Sequence, residues 1–563
     1  MGEIITVKNL TFSYEGSDEN ALRDISFGVE PGEIVLLMGA SGCGKSTLLR
    51  RLKGGNAPGD ILSGEILFDG RPIGGFDRRE LASRIGFVSQ NPDDDIVTDR
   101  VYHELAFAPE SLGMPRDAIR RAVSVTASAF GMEQWFEDRT DTLSGGQKQI
   151  LSLASVMTLG PDLLILDEPL SMLDPTSARR FLDMLREINT EYGTAIIISE
   201  HSTNLICEYV HRIMFMDGGR IVADGDPREC AKAVFDMNHP MAGGFPAAAE
   251  IAYRLGERER LPMNVREGKA FVADLCAKKG IEPAGRSAAP GVPTAATSGV
   301  PTSAASGPGD SDGEILLSCE NVYFRYTRDS RDILRGFTLD IRAGEVISLF
   351  GANAGGKSTA LRILCGLDTP RDGVVRYLGK RIKKDGWKEL YGGALGVLPQ
   401  NPSLLFTERT LREELLVTAS EEDADRLCGL FELTELMESH PDDLSAGQAQ
   451  SLALAKIIAL RPRVLLLDEP TKGMDVTRKA ILADVLEGLK NSGVGILLIT
   501  HDTEFSALCA DRCAFMFGGG VVSVAKTGEF MSGGGFYSTA ANRMAGGYFP
   551  GVLTAGEVAK CLM

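Results

Sequence analysis

The sequence predicts an α/β protein in which a unit built on a mostly parallel sheet occurs twice. Three observations carry that expectation: two sets of motifs run through the chain in the same order, each set begins where an apolar run enters a glycine-rich loop, and a stretch of small residues separates them. The first set holds Gly39, Ser41, Gly42, Cys43, Gly44, Lys45, Ser46 and Thr47, then Gln90, then Ser144, Gly145, Gly146 and Gln147, then Asp167, Glu168 and His201. The second holds Gly351, Asn353, Ala354, Gly355, Gly356, Lys357, Ser358 and Thr359, then Gln400, then Ser445, Ala446, Gly447 and Gln448, then Asp468, Glu469 and His501. Asp167 follows Ser144 by 23 positions, as Asp468 follows Ser445. The histidines follow their glutamates by 33 and 32 positions. Chance does not produce that agreement.

Each half opens with alternating β-rich segments, Ile4 to Tyr14 and Ile315 to Tyr326. The runs Ile34 to Met38 and Val346 to Phe350 then enter the glycine loops, and Thr47 to Leu52 or Thr359 to Leu364 leave them with helical character. Strand, loop and helix in that order are the context a phosphate-binding loop requires. Later apolar runs, Leu163–Leu166 with Ala195–Ile198 and Val464–Leu467 with Gly495–Ile499, read as buried parallel strands. Residues 283–313 lack aromatic residues and almost all large apolar ones, so they read as a tether with a reach of roughly 30 Å. The expected division is therefore 1–282, the linker 283–313, and 314–563.

Composition narrows the class. With 59 basic against 77 acidic residues the formal charge is −18, which argues against coating nucleic acid. No stretch approaches the ~18 apolar residues of a membrane span, and Met1-Gly-Glu-Ile lacks a signal-peptide pattern, so the chain is expected to stay in the cytoplasm. Ten cysteines lie at no zinc-like spacing and read as reduced core residues.

The loops bind phosphate through backbone geometry. Glycines turn successive N–H groups inward, the following helix presents its positive end, and Lys45 or Lys357 reaches the β- and γ-oxygens. Ser46 and Ser358 are candidate Mg²⁺ ligands. Ala354 stands where the first loop has Gly42, which an alanine tolerates only at negative φ. Asp167 and Asp468 end apolar strands and are expected to hold Mg²⁺ through water, while Glu168 and Glu469 orient the attacking water. Cys43, beside Lys45 and a helix N-terminus, is expected to favour the thiolate.

These residues resemble the ATP-binding-cassette ATPases. Leu143-Ser-Gly-Gly-Gln147 and Leu444-Ser-Ala-Gly-Gln448 are similar to the family signature, and the likeness covers nearly all the chain outside the linker. It implies two tandem P-loop cassette domains, each with a mostly parallel sheet core, an antiparallel β subdomain and a helical signature subdomain. It further implies that the halves dimerise intramolecularly and share two ATP sites. Lys45 would face Ser445, Gly447 and Gln448, and Lys357 would face Ser144, Gly146 and Gln147. By the same resemblance Tyr14 and Tyr326 stack on adenine, Gln90 and Gln400 join Mg²⁺ to a transmembrane partner, and His201 and His501 contact the γ-phosphate. Asp174 and Asp475 would cross the dimer interface.

Gln90-Asn-Pro-Asp-Asp-Asp-Ile96, Val101 to Gly113 and the extensions after each half look like the energy-coupling-factor subgroup, importers of vitamins, their precursors or transition metals. That likeness implies a peripheral subunit on the cytoplasmic face of the cell membrane, working with a transmembrane coupling protein and a small substrate-binding membrane protein, without nucleic acid. Tandem sugar-importer ATPases are an alternative, although one of their sites is commonly degenerate. Soluble tandem cassettes acting on ribosomes or nucleic acid are another, although they usually carry a charged helical linker. Between glutamine and signature serine the first half has nine more positions than the second, and Asp93, Asp94 and Asp95 stand opposite Ser403, Leu404 and Leu405. The acidic triplet is expected to dock on a basic helix end of the partner.

Overall fold

The computed structural model describes residues 2–563 apart from 17–18, 55–58, 172, 285–312, 329, 353–354, 383–385, 392, 534 and 536. The expected tether thus falls almost wholly outside the described residues, as do Asn353 and Ala354. Two compact units are present, Met1–Ala249 with Arg258–Asn264, and Glu250–Glu257 with Val265–Met563.

The first unit is built on a six-stranded sheet in the order Arg220–Gly225, Arg212–Asp217, Ile34–Gly39, Ala195–Glu200, Leu163–Asp167, Ile85–Val88. All neighbouring strands are parallel except the first pair. The strands Ile34–Gly39, Leu163–Asp167 and Ala195–Glu200 are buried at every residue, which is why their sequences run apolar rather than alternating. A separate four-stranded sheet, Asn20–Val29, Ile5–Ser13, Asp60–Phe68 and Arg71–Pro72, is antiparallel, and the Ile5–Ser13 strand alternates between buried and open positions. The helices Val101–Ser111, Arg116–Ala129 and Gly145–Met157 close over their own small core of Val101, Leu105, Leu151 and Ala154.

The second unit repeats the plan. Its six-stranded sheet runs Leu395–Leu398, Val464–Asp468, Gly495–Ile499, Glu345–Gly351, Arg512–Phe517, Gly520–Lys526, and its antiparallel sheet runs Leu334–Arg342, Ile315–Phe324, Asp372–Tyr377, Lys380–Arg381. The nine-position difference is helical: Leu411–Leu416 and Glu421–Leu430 have 6 and 10 residues where the first unit's helices have 11 and 14. Helix Val265–Lys279 also belongs to this unit, buries Val272 and Cys276 completely, and directs the Lys279 ammonium to the carbonyls of Leu562 and Met563.

Candidate active sites

In both units the glycine loop leaves the central strand and opens a helix, and two glycines set its path. A Cβ on Gly39 would lie 2.3 Å from the Met216 carbonyl oxygen, so the chain can pass there only without a side chain. Gly44 and Gly356 precede Lys45–Leu52 and Lys357–Leu364 with φ of 103° and 96°, a left-handed turn that suits glycine. The turn points the first helical N–H groups into the loop. Lys45 is buried and donates to the carbonyls of Gly39 and Ala40, both at 2.9 Å. Lys357 does the same with Gly351 at 2.8 Å and Ala352 at 3.0 Å.

The ends of adjacent parallel strands bring the remaining groups to this loop. Asp167 accepts from Ser199 at 2.6 Å and from Ser46, and burial nevertheless pushes its carboxyl above the usual range. Asp468 is likewise bonded by Ser358 and raised by burial. Glu168 and Glu469 follow with φ of 46° and 51°, a conformation rare outside glycine and held only where the surroundings fix it. Gln90 donates to Glu168 at 2.6 Å, and His201 Nε2 touches the other carboxylate oxygen. His201 Nδ1 faces the Gly39 carbonyl at 3.1 Å and the Lys45 ammonium at 3.4 Å. Lysine, serine, aspartate, glutamate, glutamine and histidine, scattered over more than 150 positions, thus converge in the first unit.

The second centre is looser. His501 Nε2 lies 3.1 Å from Lys357 and 3.7 Å from Glu469. Gln400 is exposed, and among the described residues no hydrogen bond joins it to Glu469. Burial, with the neighbouring Asp468 charge, pushes Glu469 up to about 7.

The aromatic and signature residues have local roles. The Tyr14 and Tyr326 hydroxyls bond to Thr47 at 2.8 Å and Thr359 at 3.1 Å, just past the proposed Mg²⁺ ligands, and the Tyr326 side chain is exposed. Ser144 and Ser445 each cap the signature helix through a reciprocal box with Gln147 and Gln448, which fixes the first helical turn, where Gly145, Gly146 and Gly447 stand.

Two sequence expectations are corrected. Cys43 is buried, and burial raises its thiol more than Lys45 lowers it, so the loop does not favour the thiolate. The acidic triplet is not wholly a free surface: Asp95 accepts from Ser89 N–H at 2.9 Å and Ser152 at 2.8 Å, and Asp93 pairs with Lys148 at 2.5 Å while its side chain stays 62% exposed. Only Asp94 of the three is left facing solvent without such a bond. Ser199 was not singled out from the sequence, nor was Gln450, whose amide donates to the Glu469 carbonyl at 3.4 Å. A polar residue inside an otherwise apolar strand was the available signal for Ser199.

Comparison with known proteins identifies relatives along nearly the whole chain. A family model described as ABC transporter matches residues 22–171 and 334–472. A Bacillus cereus protein designated an ABC transporter ATP-binding protein is 35% identical over 98% of this chain and 97% of its own length. A Streptomyces coelicolor protein of the same designation is 34% identical over 92% of this chain and 93% of its own. Among solved structures, cbiO1 from Clostridium perfringens, described as part of the ABC transporter complex cbiONQ, is 32% identical over 42% of this chain and 92% of that one, with a TM-score of 0.39.

Proposed function

The chain belongs to the ABC transporter family and is an ATP-hydrolysing protein, and from that premise we propose that it is the energy-coupling subunit of an importer of the energy-coupling-factor type. The observation that carries the catalytic part is the convergence, in each half, of a phosphate-loop lysine, a serine–aspartate pair and the following glutamate at the ends of neighbouring strands. The importer subtype rests on the segment after Gln90 and the extensions after each half. No described helix is long and apolar enough to cross a membrane, so the membrane passage is assigned to partner proteins.

The donor sets fit Mg²⁺. Hard oxygens from Ser46 and Asp167, or Ser358 and Asp468, lie together, and a site completed by substrate phosphates needs no cage of several carboxylates. Mg²⁺ bound there would neutralise phosphate charge. Lys45 and Lys357 rest on loop carbonyls until β- and γ-oxygens recruit them, and Glu168 and Glu469 orient water toward the γ-phosphate. His201 and His501, each beside its glutamate, sense the same phosphate. Tyr14 and Tyr326, tied at their hydroxyls, offer ring faces to adenine. The signature of each half completes the site of the other, so ATP favours a closed state whose contacts hydrolysis removes. Gln90 and Gln400 pass that change to a transmembrane coupling protein.

Uptake tests this reading directly. Proteoliposomes carrying the chain with its membrane partners should accumulate a vitamin, vitamin precursor or transition-metal ion only with hydrolysable ATP. Lys45→Ala with Lys357→Ala should abolish accumulation. Uptake that survives this double change would contradict the proposal.

A further inference from the structure

Glutamates at φ near 50° need a brace, and the two halves brace theirs differently. In the first, the end of strand Ala195–Glu200 is laced to the end of strand Leu163–Asp167 by side chains. The Ser199 hydroxyl donates to Asp167 at 2.6 Å and accepts the Glu168 N–H at 2.9 Å. One residue on, a Glu200 carboxyl oxygen accepts the Leu170 N–H at 2.9 Å, from a side chain only 9% exposed. The Leu170 carbonyl in turn holds Leu173 N–H at 3.1 Å, and the next residue, Asp174, caps helix Pro175–Tyr192. The chain leaving Glu168 is thus pinned at Leu170 by Glu200.

The second half has none of this lacing. Ile499 stands where Ser199 does, and Thr500 stands where Glu200 does, its hydroxyl turned to the Asp502 N–H at 3.0 Å. Among the described residues no side chain accepts the Thr471 N–H, the counterpart of Leu170. Among these residues the Glu469 N–H is held by the Ile499 backbone carbonyl alone, at 2.8 Å, and Gln450 of the signature helix donates to the Glu469 carbonyl at 3.4 Å, while the matching Gln149, fully buried, has no hydrogen-bond partner for its amide among the described residues.

We infer that Glu200 is a positioning residue for the first catalytic centre, holding through Leu170 the strained turn that aims Glu168 and leads to Asp174. This rests on the reading of Glu168 as the water-orienting carboxylate. Burial and the adjoining Glu168 charge push the Glu200 carboxyl up to about 8, so at neutral pH it accepts the amide hydrogen without a second negative charge beside Glu168. A glutamine presents the same acceptor oxygen; alanine and threonine do not reach.

The test is rapid-quench single turnover of ATP pre-bound to the full chain and started with Mg²⁺. Glu200→Ala, and independently Glu200→Thr, should slow hydrolysis of at least one bound ATP about tenfold while ATP affinity stays within about twofold, the pattern of an interaction expressed in the chemical step. Glu200→Gln should recover the rate to within about twofold. Unchanged rates in both Glu200→Ala and Glu200→Thr, or a Glu200→Gln as slow as Glu200→Ala, overturn the inference. Glu168→Gln in the same assay separates the two claims. If it slows hydrolysis while Glu200→Ala does not, only the Glu200 role fails; if it leaves hydrolysis intact, the reading of Glu168 fails and this inference with it.

Discussion

Replacing Glu168 and Glu469 together by glutamine isolates water activation from nucleotide binding. The exchange is nearly isosteric, and in the first centre one oxygen remains to accept from Gln90 at the position now 2.6 Å away. The loop contacts of Lys45 and Lys357 involve neither glutamate. What disappears is the carboxylate charge and its capacity to polarise water. General-base assistance is worth about 100-fold or more, so turnover should fall by at least ~100-fold, equivalent to about 2.7 kcal/mol in the barrier. ATP affinity should hold or tighten, because a negative charge leaves the neighbourhood of the phosphates. Steady-state phosphate release at saturating Mg-ATP, with nucleotide binding measured on the same preparation, decides the matter. Turnover within tenfold of the parent chain, at unchanged affinity, would refute the assignment.

Three further outcomes are expected. If Ser144 serves the ATP held by Lys357, Ser144→Arg and Lys357→Ala should impair the same site and combine with little added loss; site-resolved nucleotide occupancy showing loss confined to the Lys45 site after Ser144→Arg would contradict it. Because burial raises the Cys43 thiol, a thiol-alkylating reagent at pH 7 should leave Cys43 largely unmodified by mass spectrometry, and rapid ATP-protectable labelling there would contradict the buried geometry. Glu504 accepts the Ala540 N–H at 2.7 Å, and burial lifts it from 4.5 to about 7; a folded value above the unfolded one means its stabilising contribution is whole below pH 4.5 and is lost as pH rises through 7. Glu504→Gln, which fixes the neutral form, should therefore raise the thermal midpoint at pH 8, by up to about 3 kcal/mol in stability, and lose that advantage at pH 5; equal shifts at both pH values would contradict it.

Much of this architecture is legible in the chain because its signals are local. The runs Ile34–Met38 and Leu163–Leu166 are apolar throughout, as buried parallel strands require, and both prove to be such strands. The nine-position difference between halves proves to be helix length, five residues in one helix and four in the next. What escapes the sequence depends on neighbours far along the chain. Asp95 looks like part of an acidic surface until Ser152, on the signature helix, is found against it. Cys43 looks activated when only Lys45 and the helix are counted, but strand and loop close over it. The Glu200–Leu170 contact joins residues 30 positions apart, and only the pairing of the two parallel strands makes them adjacent.

Isolation of the full chain from membranes in mild detergent, with quantification of what remains bound, bears most directly on the proposal that it is a coupling subunit. The expected result is a fixed-ratio complex with an integral coupling protein and a small membrane protein, whose ATPase activity changes when the transported vitamin or metal ion is supplied. Recovery of the chain free of membrane proteins but bound to ribosomes or nucleic acid would contradict it.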